Sequence, residues 1–261
     1  MNQTLLEKIR RSHRVTAFPE GDDLLFIDLH LLHEINTPQA FDRLRARGLT
    51  VRRPDLTLAT VDHNTQTRSA ATLATDPHLT RQVELLARNC AEFGILFRPF
   101  GTVGQGITHV IAPEEGRVRP GSTLVCCDSH TTTHGAFAAL AVGIGSSQVE
   151  QVLATQALTL PRFKTMHVTV DGLLPPGLSA KDLAIAIVKR LGTVGATGHV
   201  IEFDGSAVPA LQMDGRMTLC NMTVEAGASV GVIGVDDVTV SYLKTALARR
   251  GESGTTEIEA E

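Results

Sequence analysis

The clearest chemical signal in the sequence is a histidine flanked by a carboxylate and an amide, Asp62-His63-Asn64. The apolar, threonine-rich run at 56–61 predicts a strand, so the triplet is expected at a strand end. An adjacent carboxylate can orient an imidazole and keep it protonated, as a general acid requires. A loop in which Asp62 and Asn64 form turns fits the same residues, and spacing alone leaves both interpretations open.

A second polar cluster, Cys-Cys-Asp-Ser-His-Thr-Thr-Thr-His-Gly at 126–135, follows the predicted strand 122–127. Polar groups directly after a buried strand are costly unless they line a site. His130 and His134 would share one face of a helix, since they are four residues apart. They could then bind a metal, although no third ligand is near in the sequence. A solvent-exposed loop with capping threonines is the alternative.

Two further segments carry groups of the same kind. His109 follows Gly104-Gln105-Gly106, which lacks the third glycine and the helix of a dinucleotide fingerprint. Asn221 and Glu225 would project to one side of a helix, where the carboxylate could pair with a histidine from the first half of the chain. A structural histidine and an ordinary exposed helix face are the alternatives. Three histidine clusters and a carboxylate favour acid–base chemistry on a small acidic molecule.

The elements that must position these groups alternate between helices and strands. The pattern predicts helices at 4–14, 38–47, 79–93, 147–158, 180–191, 218–226 and 238–250. It predicts strands at 23–28, 56–61, 95–97, 109–112, 122–127, 165–170 and 200–203, with a last strand reached through 227–232. Thr4 and Glu7 form a capping box for the first helix, and Thr37 is the expected N-cap of the second. This order predicts a doubly wound α/β domain that binds ligands outside the carboxyl ends of its strands.

A change in composition near residues 160–162 predicts a domain boundary. We expect an α/β domain at 1–162, a second, smaller α/β domain at 163–250, and a polar, disordered tail at 251–261.

Composition excludes several classes of protein. The 261 residues are 43% hydrophobic, with a net charge of −4, which gives no basic surface for nucleic acid. No apolar run is long enough to cross a bilayer, and the N-terminus lacks the core of a secretory signal, so a cytoplasmic protein is expected. The four cysteines, an adjacent pair and two single residues, do not form the pattern of a disulfide framework.

Six segments, in order along nearly the whole chain, resemble the N-terminal part of 3-isopropylmalate dehydratase large subunits, a family of the aconitase superfamily. They are LFIDLHLLHE at 25–34, TPQAFD at 37–42, TVDHN at 60–64, DSHTTTHGAF at 128–137, GHVIEF at 198–203 and MTLCNM at 217–222. The resemblance implies an aconitase-like fold. It also implies a hydro-lyase that moves a hydroxyl between neighbouring carbons of a hydroxy di-acid, such as isopropylmalate, with a [4Fe–4S] cluster.

The resemblance further implies a set of site positions. The catalytic ones are His63, Asp62, His130, Asp128, His109 and Glu225. The substrate-binding ones are Gln39, Ser129 and Asn221. In this set His63, backed by Asp62, is the acid that protonates the departing hydroxyl.

The cysteines depart from the family pattern. The family's three cluster cysteines lie farther along its sequence, and neither Cys90 nor Cys220 nor the pair Cys126-Cys127 matches them. Cys127 stands where the family usually has Gly, and two adjacent cysteines do not supply three well-placed thiolates. We therefore expect the cluster's cysteines on a partner chain, a fragment of the large subunit, with a swivelling small subunit that carries the serine base.

Two other classes of function remain open. One is a non-catalytic homologue that binds a dicarboxylate or serves as a scaffold, which the missing cysteines favour. The other is a mononuclear-metal enzyme that uses His130, His134 and an acidic residue. No binding of RNA or of a membrane is expected.

Overall fold

Helices and strands alternate along the chain, as expected of an α/β protein. The structure is a computed structural model that describes residues 3–65 and 77–250. Its α-helices are α1 (Leu5–His13), α2 (Pro38–Ala46), α3 (Pro77–Phe93), α4 (Thr108–Glu114), α5 (Ser146–Thr155), α6 (Ala180–Leu191), α7 (Met213–Asn221) and α8 (Asp237–Arg250). Three 3₁₀ helices lie at Pro54–Leu56, Ser129–Phe137 and Met222–Ala226.

Three sheets are built from the strands that the structure describes. These strands are β1 (Arg14–Ala17), β2 (Asp23–Phe26), β3 (Leu29–Leu32), β4 (Thr57–Thr60), β5 (Leu96–Arg98), β6 (Thr123–Cys126), β7 (Leu140–Gly143), β8 (Ala157–Leu160), β9 (Lys164–Thr169), β10 (His199–Asp204) and β11 (Val230–Ile233). The largest sheet has the order β5-β4-β3-β6-β7, and all its strands are parallel. The predicted α/β fold with a parallel sheet is therefore confirmed.

The order of this sheet reverses between β3 and β6. From β3 the chain runs outwards through β4 to β5, and then returns to place β6 and β7 on the other side of β3. In open α/β sheets such a reversal leaves a crevice outside the carboxyl ends of the strands. The loops that follow β3, β4 and β6 therefore meet at one edge of the sheet.

The sheet separates two apolar layers. Leu25, Phe41, Leu86, Val125 and Leu153 are among the buried residues of one layer. Members of the other include Leu31, Leu124, Phe137, Ile201 and Leu243. Successive residues of a strand point to opposite faces, which is why neighbours such as Leu124 and Val125 serve different layers. Each such large side chain contributes about 1.5–3 kcal/mol when fully buried, and the strands that hold the site are thereby fixed.

The second half of the chain has a sheet of its own, in the order β11-β10-β9 with all strands parallel. The third sheet, β1-β2-β8, is antiparallel. The 3₁₀ helix Ser129–Phe137 packs against α7 and β11, so a segment from the first half carries its histidines to the second. The division into domains at residue 162 stays a prediction.

The structure corrects several predicted elements. Residues 109–112, predicted as a strand, lie in α4. The predicted strand at 23–28 covers only β2, and β3 follows it in a different sheet. The predicted helix at 147–158 ends at Thr155, and β8 begins at Ala157.

Helix starts were predicted unequally well. The capping box of α1 is present: Thr4 Oγ1 accepts from the backbone N–H of Glu7 at 3.2 Å, and Glu7 accepts in return from the N–H of Thr4 at 2.9 Å. Thr37 makes no side-chain cap, because its hydroxyl donates to the carbonyl of His33 at 2.8 Å.

Two predictions remain to be compared with the structure, the polar tail and the absence of a segment that crosses a membrane. The predicted polar tail lies outside the described residues. No helix within 3–65 and 77–250 combines the length and apolar character needed to cross a membrane.

Candidate active site

His63 lies between two carboxylates at the crevice. Its Nδ1 donates to Asp62 Oδ1 at 2.5 Å, and its Nε2 donates to Asp128 Oδ2 at 3.1 Å. The hydrogen bonds to Asp128 and then Asp62 raise the pKa of His63 to about 10, so the ring is an imidazolium at neutral pH. Burial alone would raise the pKa of Asp62, but hydrogen bonds from His63 and the backbone N–H of Thr108 lower it.

Asp128 is the common partner of three histidines, His63, His109 and His130. Its Oδ1 accepts from the backbone N–H of His130 at 2.6 Å. His109 Nε2 and His130 Nδ1 lie 3.4 and 3.5 Å from the same oxygen. The 3.4 Å contact is an ion-pair distance rather than an aligned hydrogen bond, since His109 Nε2 has no hydrogen-bond partner among the described residues. The facing His109, followed by His63, holds the pKa of Asp128 far below its usual range. The carboxylate is thus ionised throughout the physiological range.

His109 also contacts a further histidine, His134. His109 Nδ1 is 3.1 Å from His134 Nε2, and the two rings meet edge-on. His134 is fully buried, and burial lowers its pKa well below the ordinary value. Because His134 is neutral, its Nε2 can accept the hydrogen bond from His109 Nδ1.

His134 and His130 do not form the metal pair that their spacing suggested. Their segment is a 3₁₀ helix, with three residues per turn rather than 3.6, so residues four apart do not share a face. Among the described residues, His33, Glu34 and His63 form the single group of three with ligand atoms close enough for an ion. His63 donates from both ring nitrogens and Glu34 accepts backbone N–H groups. Because these atoms are already engaged, the geometry does not favour a mononuclear metal.

Two residues from the second half of the chain contact the segment that carries His130. His130 Nε2 lies 3.6 Å from Glu225 Oε1. Asn221 Nδ2 donates to Thr133 Oγ1 at 2.9 Å. Asn221 ends α7 and Glu225 lies in the 3₁₀ helix that follows, so both face the segment that carries His130.

Gln39 and Ser129 lie apart from these contacts. Gln39 is exposed in the first turn of α2, and Ser129 is exposed at the start of its 3₁₀ helix. Within the described part of the chain, neither side chain makes a hydrogen bond. Both hydrogen-bonding groups are therefore available to a ligand.

An open cavity of about 630 Å³ lies beside these residues, with His109 in its wall. His109, Thr133 and Asn221 contribute polar groups to its wall, and Met217 and Tyr242 contribute apolar ones. Cavities of this size hold small molecules. The charged lining residues of this cavity are Lys181, Glu114 and Asp214.

Sequence reasoning missed two residues of this site. His33 stacks on His63 with 4.0 Å between ring centroids. The Glu34 carboxylate accepts from the backbone N–H of His63 at 2.8 Å. Both residues lie in a segment that carried the family resemblance, but nothing in their spacing linked them to residues 62–64.

The cysteines of this chain do not fit an iron–sulfur cluster. All four are free and buried, and burial raises the pKa of Cys90 to about 12 and holds that of Cys126 well above its ordinary value. A cluster needs thiolates from several cysteines that converge on one point. The group of converging ligands described above contains no cysteine. The cluster implied by the family therefore has no ligand set in these residues.

Comparison of the sequence with known protein families adds one finding. Residues 7–260 match the aconitase family, described as aconitate hydratase.

Proposed function

The chain belongs to the aconitase family, and from that premise we propose that it is the acid-carrying part of a hydro-lyase that isomerises a substituted malate. Membership implies hydro-lyase activity in general. Isopropylmalate is the proposed substrate, converted by dehydration and rehydration, so that its hydroxyl moves to the neighbouring carbon.

The observation that carries this proposal is the position of the His63 ring between the carboxylates of Asp62 and Asp128, which raise its pKa. Loss of hydroxide from a carbon is slow unless the leaving oxygen is protonated. An imidazolium with a pKa of about 10 can do this, because the leaving hydroxide is the base of water, whose pKa is about 15.7. As a base removes the proton of the neighbouring carbon, the C=C bond forms and the C–O bond breaks, and His63 transfers the proton from Nε2 so that the hydroxyl leaves as water. Rehydration uses the same group in reverse.

Asp128 and its histidines are proposed to prepare this step. The substrate hydroxyl takes the position of Asp128 as acceptor of the Nε2 proton of His63. Asp128 then remains paired with His109 and the backbone N–H of His130. Glu225 holds the outer nitrogen of His130, while Gln39, Ser129 and Asn221 are proposed to bind the substrate.

A second polypeptide is proposed to complete the enzyme. The cysteines here do not suit a [4Fe–4S] cluster, so its ligands are proposed to lie on a cysteine-bearing fragment, and the base on a swivelling small subunit. Ser129, Glu225 and Ile107 are exposed around the crevice, where partners would meet the site. A cytoplasmic setting is proposed because all four cysteines are free thiols, as is usual in reducing compartments.

A non-catalytic dicarboxylate-binding homologue is the second candidate. The same unsuitable cysteines favour it. Such a homologue uses His63 and the cavity to bind the dicarboxylate and catalyses no reaction.

Anaerobic co-expression with a cysteine-bearing large-subunit fragment and a small subunit of the same family tests the proposal, with hydration of isopropylmaleate as the assay. We expect a complex that contains iron and sulfide, and about a 10²–10⁴-fold loss of turnover in His63→Ala, since a general acid contributes that much. His167→Ala is the matched control, because His167 is 59% exposed and pairs with Asp204 away from the site. If the chain purifies alone and stays inactive with those partners, but binds isopropylmalate in a calorimeter, the binding homologue replaces the enzyme.

A further inference from the structure

Glu34 is a fully buried carboxylate that holds three consecutive backbone groups. It accepts from the N–H of His63 at 2.8 Å and from the N–H of Asp62 at 3.3 Å. It also accepts from the N–H of Asn64. Backbone N–H groups that converge on one anion form a nest, and hydrogen bonds to a charged acceptor are stronger than neutral ones. The turn at 62–64, which carries His63, is therefore held by a residue from another segment of the chain, the one that follows β3.

His33 fixes the ring of His63. The two rings are stacked, with an interplanar angle of 15°. His33 Nε2 donates to the carbonyl of Cys127 at 3.0 Å, which assigns the proton to that nitrogen. Burial and the nearby charge of His63 lower the pKa of His33, so a neutral aromatic ring lies beneath an imidazolium. A cation over an aromatic face is an attractive arrangement.

The sheet brings these residues together. His33 and Glu34 directly follow β3, and Asp62 and His63 come just after β4. β3 and β4 are adjacent and parallel, so their carboxyl ends lie side by side. A rigid strand, rather than a flexible loop, thus sets where the His63 ring is held.

We propose that His33 and Glu34 are positioning residues, which hold the ring plane and the backbone of His63 before any substrate is bound. Glu34 fixes the turn at 62–64, and His33 fixes the ring by stacking. The proposal rests on the proposed function only for its consequence in catalysis. The positioning itself is a property of this chain.

Several groups set the charge of His63, and each must be considered in the test. Asp62 and Asp128 hydrogen-bond its two nitrogens, Glu34 lies beneath its backbone, and His33 covers its face. His109 and His130 act from behind Asp128. Of these, Glu34 and His33 can be changed without removing a hydrogen-bond partner of the ring.

The Glu34→Gln variant of the full chain tests the nest. Its amide oxygen can replace the carboxylate oxygen that accepts from His63 and Asn64, but its NH₂ would then face the backbone N–H of Asp62. Amide exchange at 62–64 is therefore expected to become at least about tenfold faster. The pKa of His63, followed by NMR of its ring nitrogens, is expected to fall by about one unit. Glu92→Gln is the control, since Glu92 is an exposed carboxylate paired with Arg45, and it should leave both readouts unchanged.

Two substitutions at His33 separate stacking from hydrogen bonding. His33→Phe keeps an aromatic face and loses the donor to Cys127. His33→Gln keeps a donor and loses the face. We expect His33→Gln to lower the pKa of His63 and to abolish close contacts between the two side chains in NMR spectra. His33→Phe should leave that pKa close to the wild-type value.

A purely structural role would give a different result. Variants that lower the melting temperature but leave the pKa of His63 and the exchange at 62–64 unchanged would overturn the proposal. If Glu34→Gln does not fold, the two His33 variants decide, and equal pKa values in both would refute positioning by stacking. In an active complex, Glu34→Gln should lower kcat about tenfold at unchanged KM. If the wild-type complex is inactive, the proposed function fails, while the NMR results on the chain alone still decide this inference.

Discussion

At the scale of single residues, the candidate site is organised around one ionised carboxylate. Asp128 faces His63, His109 and His130 within 3.5 Å. Its hydrogen bond with the His63 imidazolium is strong, because unit charges a few ångströms apart interact by several kcal/mol where water is partly excluded. Asp128 therefore both stabilises the cluster and keeps His63 protonated.

This arrangement predicts the effect of Asp128→Asn on stability. The raised pKa of His63 contributes stability that is fully present below pH 6.5 and is lost as the pH rises towards about 10. The lowered pKa of Asp128 contributes stability that is present above its ordinary value of 3.8 and is lost in acid. The variant is therefore expected to lose most near pH 5–6.5. We expect about 2 kcal/mol, discounted for partial exposure, or about 5 °C in melting temperature.

Thermal unfolding from pH 5 to pH 10 checks this prediction. Asp55→Asn is the matched control, because Asp55 pairs with Arg53 on the surface. A difference between wild type and Asp128→Asn that stays constant up to pH 10 would contradict the assigned charges.

At the scale of elements, the 3₁₀ helix Ser129–Phe137 joins the two halves of the chain. Thr132 Oγ1 accepts from the backbone N–H of Gly231 in β11 at 2.7 Å. Gly135 packs so closely that an added Cβ would lie 1.8 Å from the carbonyl oxygen of Gly231. The helix that carries His130 thus rests directly on the backbone of the second sheet.

Gly135→Ala is expected to be strongly destabilising for this reason. The neighbouring atoms are backbone and cannot rotate away, so β11 itself must shift. We expect a loss of about 3 kcal/mol or more, measured by denaturant unfolding. Gly145→Ala is the control, since its nearest neighbour is a flexible side-chain atom at 3.8 Å, and it should change stability by less than about 1 kcal/mol. Equal effects of the two variants would contradict the close packing.

The predicted strands and helices show how much of the site can be located from the sequence. β4 and β6 were predicted because each is an apolar run that ends in polar residues, and the placing of Asp62 and Asp128 at strand ends followed from that. α4 was mistaken for a strand, since a short apolar run fits both periods. Glu34 gave no signal at all, because its partners lie 28 to 30 residues away and are backbone groups, which carry no sequence pattern.

At the scale of the whole molecule, the central sheet contains one group that opposes its stability. His30 lies in β3, in the middle of the sheet, and is fully buried. Within the part of the chain that the structure describes, neither of its ring nitrogens has a hydrogen-bond partner, and burial lowers its pKa to about 3. The fold can hold this ring only in its neutral form.

Acid should therefore unfold the protein partly through His30. The unfolded chain binds a proton at the ordinary pKa of 6.5, whereas the folded chain does so only near 3, so stability falls as the pH drops below 6.5. At pH 5 this difference amounts to about 2 kcal/mol. His30→Leu should abolish that part of the loss, and should also be more stable at pH 7.5 by about 1 kcal/mol, because an unpaired buried donor is removed. Denaturant unfolding at pH 7.5 and pH 5.0 measures both effects, with the exposed His167→Gln as control. If wild type and His30→Leu lose equal stability between the two pH values, His30 is hydrated or paired in solution, and acid sensitivity must then come from other buried histidines such as His134.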